Sequence, residues 1–153
     1  MLSVDDVEEK DFLGERCTRI SIFLSIFDVH INRAPVGGTV ELVRYSPGKF
    51  GFAHTIDASR NNESNAIGIG GGPVKVLVKQ IAGAVARRII CYCRPDQPLR
   101  IGERIGLIRF GSRTELYLPP ECRILVSAGQ KVKGGISLVG AYDATNEEKA
   151  KAC

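Results

Sequence analysis

Only two histidines, His30 and His54, occur among the 153 residues, which disfavours any mechanism that needs several imidazoles. His30 follows Asp28 in the segment FDVHINRAP. A histidine titrates near neutral pH, so one that ends a buried strand beside a carboxylate can exchange protons with a substrate. The same position also suits a structural hydrogen bond, and the residues alone leave both interpretations open. His54 has no evident partner in FAHTID, and we interpret it as a surface or capped histidine.

Ser112 is the second candidate, because Gly111-Ser112 interrupts an apolar run in GLIRFGSRTELYLPP, residues 106–120. Most Gly-Ser dipeptides are turns, and that is the simpler interpretation. The apolar residues on both sides nevertheless predict two strands, with the serine on the bend between them. A serine held there can attack the carbonyl of the preceding glycine, because glycine lacks a Cβ and tolerates strained backbone. Composition does not decide between these interpretations.

The segment that must position His30 is RISIFLSIFDVHI, Arg19 to Ile31, which is rich in Ile and Phe. This composition predicts a strand rather than a helix, and side chains two positions apart then share a face. One face carries Ile20, Ile22, Leu24 and Ile26. Continuing the same parity places Asp28 and His30 on the inward side. The pattern therefore predicts two ionisable groups at the end of an apolar face.

Short apolar or β-branched segments recur along the rest of the chain between Pro and Gly turns. They are TVELVRY, VKVLVKQI, VARRIICYC, ERIGLIRF, TELYLP and CRILV. Only Asp143 to Ala150 looks helical, and it is short enough to be a frayed tail. We therefore predict one domain over residues 1–153, mainly β, with many short strands in a barrel or sandwich and little helix.

Two glycine-containing segments have alternative interpretations. GIGGGP, Gly68 to Pro73, could cradle a phosphate only if a helix followed it, whereas VKVLVKQI alternates like a strand and indicates a glycine turn. The segment Val126 to Tyr142 has the rhythm of the hammerhead hairpin of biotinyl and lipoyl carrier domains. Because no Met-Lys-Met or Asp-Lys-Ala motif is present to receive a cofactor, a carrier function is the least favoured interpretation.

Charge and cysteine content limit the partners. The formal net charge is +4, and the basic residues are scattered among acidic ones, so a nucleic-acid footprint is not indicated. A weak preference for anionic phospholipid headgroups remains. Five cysteines at irregular spacing indicate a reducing compartment, and Cys91 and Cys93 are expected to be buried thiols rather than metal ligands. No apolar run approaches the roughly 18 residues of a membrane-spanning helix.

Four motifs in order resemble the short prokaryotic class of phosphatidylserine decarboxylase proenzymes. They are ISIFLSIFDVHINRAP, YSPGKF, KQIAGAVARRIICY, and GERIGLIRFGSR followed by YLP. The match runs from about Phe12 to about Gly140. The resemblance implies a β-rich pyruvoyl enzyme that decarboxylates phosphatidylserine, or archaetidylserine, to the ethanolamine lipid. It also implies peripheral binding at the cytoplasmic side of the cell membrane. The oligomeric state stays open, and a homo-oligomer is compatible with the resemblance.

The resemblance implies that Ser112 attacks the carbonyl of Gly111 and that the chain divides there. Residues 1–111 become the β chain and residues 112–153 the α chain, which begins with a covalent pyruvoyl group derived from Ser112. That group accepts the electrons released with carbon dioxide, as pyridoxal phosphate does elsewhere. His30 matches the family histidine that assists decarboxylation.

Several residues are expected to orient or bind the substrate. On the parity argument, Asp28 orients His30, while Arg33 stands where longer family members have a second histidine. Arg109 and Arg113, which flank the cleavage site, and Arg87 and Arg88 are candidates for holding the phosphate. Neighbouring strand positions face opposite ways, so at most one of each adjacent pair should point at it.

The sequence departs from the family pattern in its first residues and in one loop. Members of this class usually begin earlier and carry an upstream Pro-Ala-Asp-Gly motif whose aspartate assists self-cleavage. Met1 lies apparently just past that point, and we expect a shortened start. The family loop Asn-Glu-Arg-Asn reads Asn62-Glu63-Ser64-Asn65 here. The alternative left open is an uncleaved lipid-binding or regulatory relative with the same fold.

Overall fold

The structure, a computed structural model, describes residues 3–25, 27–28, 30–48, 62–83, 88–109 and 112–143. This part of the chain contains strands and turns and no helix, so the predicted mainly β fold is confirmed. The strands are Ser3–Glu9 (β1), Glu15–Leu24 (β2), Ile31–Arg33 (β3), Gly38–Ser46 (β4), Ser64–Gly70 (β5), Val76–Ala82 (β6), Ile89–Cys91 (β7), Pro98–Leu99 (β8), Arg104–Ile108 (β9), Ser112–Leu118 (β10), Arg123–Ile124 (β11) and Gly140–Ala141 (β12). Among the described residues, nothing helical has the length and apolar character that crossing a bilayer requires.

The strands form open sheets in a sandwich-like arrangement rather than a closed barrel. The largest sheet has seven strands in the order β1-β2-β10-β6-β5-β4-β8, and each neighbouring pair is antiparallel. A three-stranded sheet has the order β3-β9-β7, and β11 pairs with β12. β10 lies inside this sheet, paired with β2 on one side and β6 on the other, and its side chains are buried on both faces.

The main core lies between the seven-stranded and three-stranded sheets, and strand alternation explains its composition. Val76 and Val78 of β6 face this core together with Ile105 of β9. Leu77 points to the opposite face, where it packs against Cys17 and Tyr117. Both faces of β6 and β10 are therefore buried, which fits the largely apolar sequence VLVKQIA of β6, whereas β10 also buries the polar residues Ser112, Arg113 and Glu115.

The predicted strand before His30 is confirmed only as far as Leu24. Ile20 is fully buried in the main core, and Ile22 packs against the same core. The chain then turns, with the Asp28 amide donating to the Ser25 carbonyl at 3.1 Å. The Asp28 carboxylate accepts from the Ser25 amide at 2.7 Å and is exposed. The predicted inward orientation of Asp28 is therefore wrong, because a turn closed by its own side chain breaks the parity of the strand.

Other sequence predictions have mixed outcomes. The glycine segment is a turn, since β5 ends at Gly70, Gly71 has a φ of 65°, and β6 rather than a helix follows. The predicted carrier-like hairpin is closed by the short pair β11 and β12, with turns at Gly129 and Gly135 between them. All but the first residue of the segment predicted to be helical, Asp143 to Ala150, lies outside the described residues, as does His54.

Candidate functional site

Ser112 is the first residue of β10 and is held from both sides of the sheet. It lies opposite Leu24 of β2 and opposite Ala82 of β6, and it is fully buried, with 0% of its surface exposed. Ser112 and Leu116 are four positions apart on β10 and therefore share a face, and Leu116 faces the main core. A serine hydroxyl on this face has no bulk water to hydrogen-bond, so its partner must come from the protein.

That partner is His30. Its Nδ1 lies 3.4 Å from the Ser112 Oγ, and its carbonyl accepts a hydrogen bond from the Ile108 amide at 3.2 Å. The backbone bond aligns His30 with the end of β9. The Nε2 atom of the ring is buried and has no hydrogen-bond partner among the described residues. The imidazole can therefore take a proton from the serine at one nitrogen and still has the other available.

A buried amide network lies two residues further along the same strands. The Asn32 Nδ2 donates to the Thr114 Oγ1 at 2.8 Å, and the Gln80 Nε2 donates to the Asn32 Oδ1 at 2.8 Å. The Asn65 Nδ2 donates in turn to the Gln80 Oε1 at 3.0 Å. The sequence analysis missed these residues as site components. A signal was present for Asn65 and Gln80, because each shares the inward face of its strand with apolar residues, Ile67 and Ile69 in β5 and Val76 and Val78 in β6.

The loop that departs from the family pattern braces the strand beside Ser112. The Asn62 Nδ2 donates to the Ala82 carbonyl at 2.7 Å, and the Ala82 amide donates to the Glu63 carbonyl at 2.9 Å. Asn62 and Glu63 are both buried. Ala82 is the direct neighbour of Ser112 on β6, so this loop fixes the backbone against which the serine is paired.

Arg113 points to the other face of β10, away from the Ser112 hydroxyl. Its Nη2 lies 2.8 Å from the Glu115 Oε1, and 5% of the Arg113 side chain and 0% of the Glu115 side chain are exposed. The Tyr117 hydroxyl donates to the second Glu115 oxygen at 2.7 Å. Burial lowers the pKa of Arg113, while the Glu115 carboxylate opposes that shift. Burial and the same carboxylate raise the pKa of Tyr117.

Arg88 and Arg109 are brought together at the His30 end of the three-stranded sheet. The Arg109 amide donates to the Arg88 carbonyl at 3.2 Å, so the two residues lie opposite each other on neighbouring strands. Both are exposed. Arg109 directly follows Ile108, the residue that bonds the His30 backbone. Strand alternation directs both arginine side chains to the outer side of this sheet. Because both residues stand at the end of the sheet, their long side chains can bend around its edge.

The remaining predicted site residues lie elsewhere or cannot be placed. The exposed Arg33 donates from Nη1 to the Gly102 carbonyl at 2.8 Å, at the opposite end of β3 from His30. Asp28 serves the turn before His30, as described above. Gly111 and Arg87 lie outside the described residues. The structure thus brings Ser112 and His30 together and sets Arg88 and Arg109 nearby, while Arg33 and Arg113 point elsewhere.

The thiols of Cys91 and Cys93 interact with each other on the β7 side of the amide network. A hydrogen bond from Cys93 lowers the pKa of Cys91 to about 6. The same hydrogen bond, together with burial, raises the pKa of Cys93. The part of the chain that the structure describes contains no cluster of three or more His, Cys, Asp or Glu side chains that could hold a metal ion.

Comparisons with known proteins relate the chain to one family. Residues 3–140 match the family model described as phosphatidylserine decarboxylase. The chain is 43% identical over 143 residues to the phosphatidylserine decarboxylase proenzyme of Syntrophus aciditrophicus, an alignment covering 93% of this chain and 67% of that protein. It is 50% identical over 141 residues to the proenzyme of the same name from Carboxydothermus hydrogenoformans, covering 92% of this chain and 66% of that protein.

No solved structure matches the chain. The chain spans about two thirds of the length of these curated relatives, 67% of one and 66% of the other. The family match covers every strand that forms the Ser112 and His30 site. The resemblance inferred from the four motifs is thereby confirmed, and this chain belongs to the phosphatidylserine decarboxylase family.

Proposed function

We propose that this chain is a proenzyme that cleaves itself at Gly111-Ser112 and then decarboxylates a serine phospholipid to the ethanolamine phospholipid. The observation that carries the proposal is the 3.4 Å contact between the His30 Nδ1 and the buried Ser112 Oγ. The names of the relatives support the same substrate, phosphatidylserine. The headgroup chemistry is the same whether the lipid tails are diacyl or archaeal ether chains.

Self-cleavage requires a base, because a serine hydroxyl is a weak nucleophile at its ordinary pKa. His30 accepts the hydroxyl proton as the Ser112 Oγ attacks the carbonyl carbon of Gly111. The peptide bond is replaced by an ester, and the Ser112 nitrogen becomes an amine. Elimination then removes the Ser112 Cα proton, breaks the Cβ–O bond and leaves a carboxylate on Gly111. Hydrolysis of the resulting enamine releases ammonia and leaves the pyruvoyl group.

The residues around Ser112 fit a pyruvoyl group at the start of the α chain. The position is fully buried and is paired on both sides, so a group formed there would be held rigidly. The His30 Nε2, buried and without a partner among the described residues, is a polar atom suited to face a bound substrate. When present, the pyruvoyl group supplies a carbonyl that binds the substrate amine and withdraws electrons from the carbon that loses carbon dioxide.

The chain's own side chains have separate tasks in turnover. His30 holds a proton and returns it to the carbon that has lost carbon dioxide. Arg88 and Arg109 are proposed to hold the phosphate, because two exposed guanidinium groups at one sheet end suit the anionic oxygens of a phosphodiester. No described carboxylate forms an ion pair with either arginine. Asp28 contributes by closing the turn that leads into His30.

The substrate class places the proposed reaction at a membrane surface. A net charge of +4 favours contact with an anionic lipid layer. We assign the protein to the cytoplasmic side, because the described cysteines Cys17, Cys91, Cys93 and Cys122 are free thiols, as expected in a reducing compartment. The β and α chains, which share the sheet through the pairing of β10 with β2 and β6, should remain associated after cleavage.

Intact mass spectrometry after expression tests this proposal. The wild-type chain should give two fragments that break between residues 111 and 112, and the smaller fragment should resist Edman chemistry. Borohydride with an added amine should increase the mass of the smaller fragment, as expected for a ketone. Ser112→Ala should remain one chain. An unbroken wild-type chain after prolonged incubation, or cleavage of Ser112→Ala at the same bond, would refute the mechanism and favour an uncleaved relative.

A further inference from the structure

We propose that Asn32 and Thr114 form the positioning contact that holds His30 on Ser112, with Gln80 and Asn65 orienting Asn32. The inference rests on the proposed self-cleavage and identifies what maintains its geometry. Asn32 does not touch the reacting atoms. It acts through His30, which lies two residues before it and directly precedes β3.

The two contacts have the same offset on both strands. His30 meets Ser112, and two residues further on Asn32 meets Thr114 at 2.8 Å. Side chains two positions apart share a face of a strand, so the two pairs form successive layers between the sheets. A shift of the three-stranded sheet along β10 would break the hydrogen bond between Asn32 and Thr114. The same shift would displace the His30 imidazole from Ser112. The second layer therefore sets the register of the first.

His30 has few other described constraints on its position. It precedes β3, and the turn before it is closed within itself by Asp28 and Ser25. Its backbone bond from Ile108 lies within the three-stranded sheet and does not tie that sheet to β10. Asn32 supplies such a tie one layer away, and its hydrogen bond has a direction that apolar packing lacks.

The Asn32 amide is fixed from its other side as well. Thr114, Gln80 and Asn65 lie directly opposite one another across three neighbouring strands. The fully buried Gln80 donates a hydrogen bond from its Nε2 to Asn32 and accepts one at its Oε1 from Asn65. Asn65 in turn contacts the Cys91 thiol. The amides of Asn32 and Gln80 thus each have their oxygen and nitrogen assigned by their neighbours, which leaves Asn32 one orientation in which its NH₂ faces Thr114.

Gly106 makes room for this arrangement. It lies opposite Asn32 on β9, and a Cβ built at Gly106 would come 2.5 Å from the Gln80 Nε2 and 2.6 Å from the Ile90 carbonyl oxygen. Glycine at this position lets the Gln80 side chain reach Asn32 between the sheets. The layer beside the catalytic pair is therefore specified by three strands of the large sheet and two of the small one.

The test compares Thr114→Val, which keeps the shape and loses the acceptor, with Thr114→Ser, which keeps the hydroxyl. Cleavage is followed on gels during cell-free synthesis at a series of pH values. Thr114→Val should cleave at least about ten-fold more slowly, since small misplacements of catalytic groups can cost about 100-fold. Thr114→Ser should recover most of the rate. Thr18→Val is the matched control, because it makes the same change on β2 opposite Leu118, at the other end of β10 from Ser112.

The pH profile separates positioning from a general loss of stability. With His30 in place, the rate should reach a plateau as the pH is raised, because a positioned base removes the hydroxyl proton without help from hydroxide. In Thr114→Val the remaining cleavage should rise with pH without a plateau, because hydroxide replaces the displaced base. A uniformly slower profile that keeps its plateau would overturn the inference, as would a wild-type rate in folded Thr114→Val.

A second variant decides the matter if Thr114→Val does not fold. Asn32→Leu keeps a similar volume and loses both the donor to Thr114 and the acceptor for Gln80. Slow cleavage without a plateau in Asn32→Leu, with near-normal cleavage in Thr114→Ser, would support the inference, and a wild-type profile in Asn32→Leu would overturn it. Failure of the wild-type chain itself to cleave would instead refute the proposed function.

Discussion

The Nδ1 of His30 lies 3.4 Å from the Oγ of Ser112, although 82 positions separate the two residues in the chain. Among the described residues, no other titratable side chain lies within hydrogen-bond distance of either residue. The contact is therefore a pair and not part of a larger network of titratable groups. Because the serine is fully buried, the imidazole replaces the water that an exposed hydroxyl would have. The pair therefore has the geometry of a nucleophile and its base.

Replacing His30 by Ala should slow both self-cleavage and decarboxylation, each by at least about 100-fold, the usual effect of losing a general base or acid. Cleavage is measured on gels, and carbon dioxide release is measured per cleaved chain so that the two effects are separated. His54→Ala is the matched control, because it removes the other histidine. Full decarboxylation by cleaved His30→Ala would remove His30 from the turnover site.

Replacing Arg88 and Arg109 together by Gln should raise the KM for a serine phospholipid about ten-fold or more and leave kcat nearly unchanged. The reason is that charge-assisted hydrogen bonds to phosphate contribute to binding before and during the reaction. Steady-state kinetics on mixed micelles measure both constants. Arg123→Gln, at an exposed position on β11, is the control. An unchanged KM in the double variant would contradict the phosphate assignment.

Replacing Glu115 by Gln should lower the free energy of unfolding by about 3 kcal/mol, because it removes the carboxylate from a buried ion pair with Arg113. Urea denaturation in a Ser112→Ala background keeps the chain intact during the measurement. Glu8→Gln is the control, since the ion pair of Glu8 with Lys10 is exposed and its loss should change stability by less than about 0.5 kcal/mol. Equal changes in the free energy of unfolding for Glu115→Gln and Glu8→Gln would show that the buried ion pair of Glu115 adds no more stability than an exposed pair.

Alkylation should distinguish Cys91 from the other described thiols near neutral pH. The pKa of Cys91 is lowered to about 6 by the hydrogen bond from Cys93, so its thiolate predominates above that pH. Burial raises the pKa of Cys17 and of Cys122, which should therefore react only at higher pH. Peptide mapping after iodoacetamide treatment from pH 5 to 9 measures each site, a range spanning the usual thiol pKa of about 8.5.

Cys93→Ala tests the cause of that reactivity. Without the Cys93 donor, the pKa of Cys91 should rise toward the ordinary thiol value, and its alkylation midpoint should move to higher pH. A midpoint that stays near its original value would assign the shift to another neighbour, such as Asn65.

The sequence by itself determined the class of fold and the family. Alternation at a period of two identified the strands, because a side chain in a strand faces the core or the opposite surface by position alone. It also placed Ile20 and Ile22 in the core correctly. Four motifs in order identified the family, and Gly111-Ser112 could be singled out because it interrupts an apolar run. These features are local, so they can be read without knowing which strands are neighbours.

Only the tertiary structure decided which residues meet. Asp28 points outward because its carboxylate accepts a hydrogen bond from the Ser25 amide, which closes a turn and ends the strand pattern. Periodicity does not reveal such side-chain hydrogen bonds. The contact of His30 with Ser112 depends on the packing of two sheets built from distant segments. The same packing joins Asn32 to Thr114 and Gln80. Hydrogen bonds between sheets act over a few ångströms in space and have no fixed spacing in sequence, so no local pattern could have predicted them.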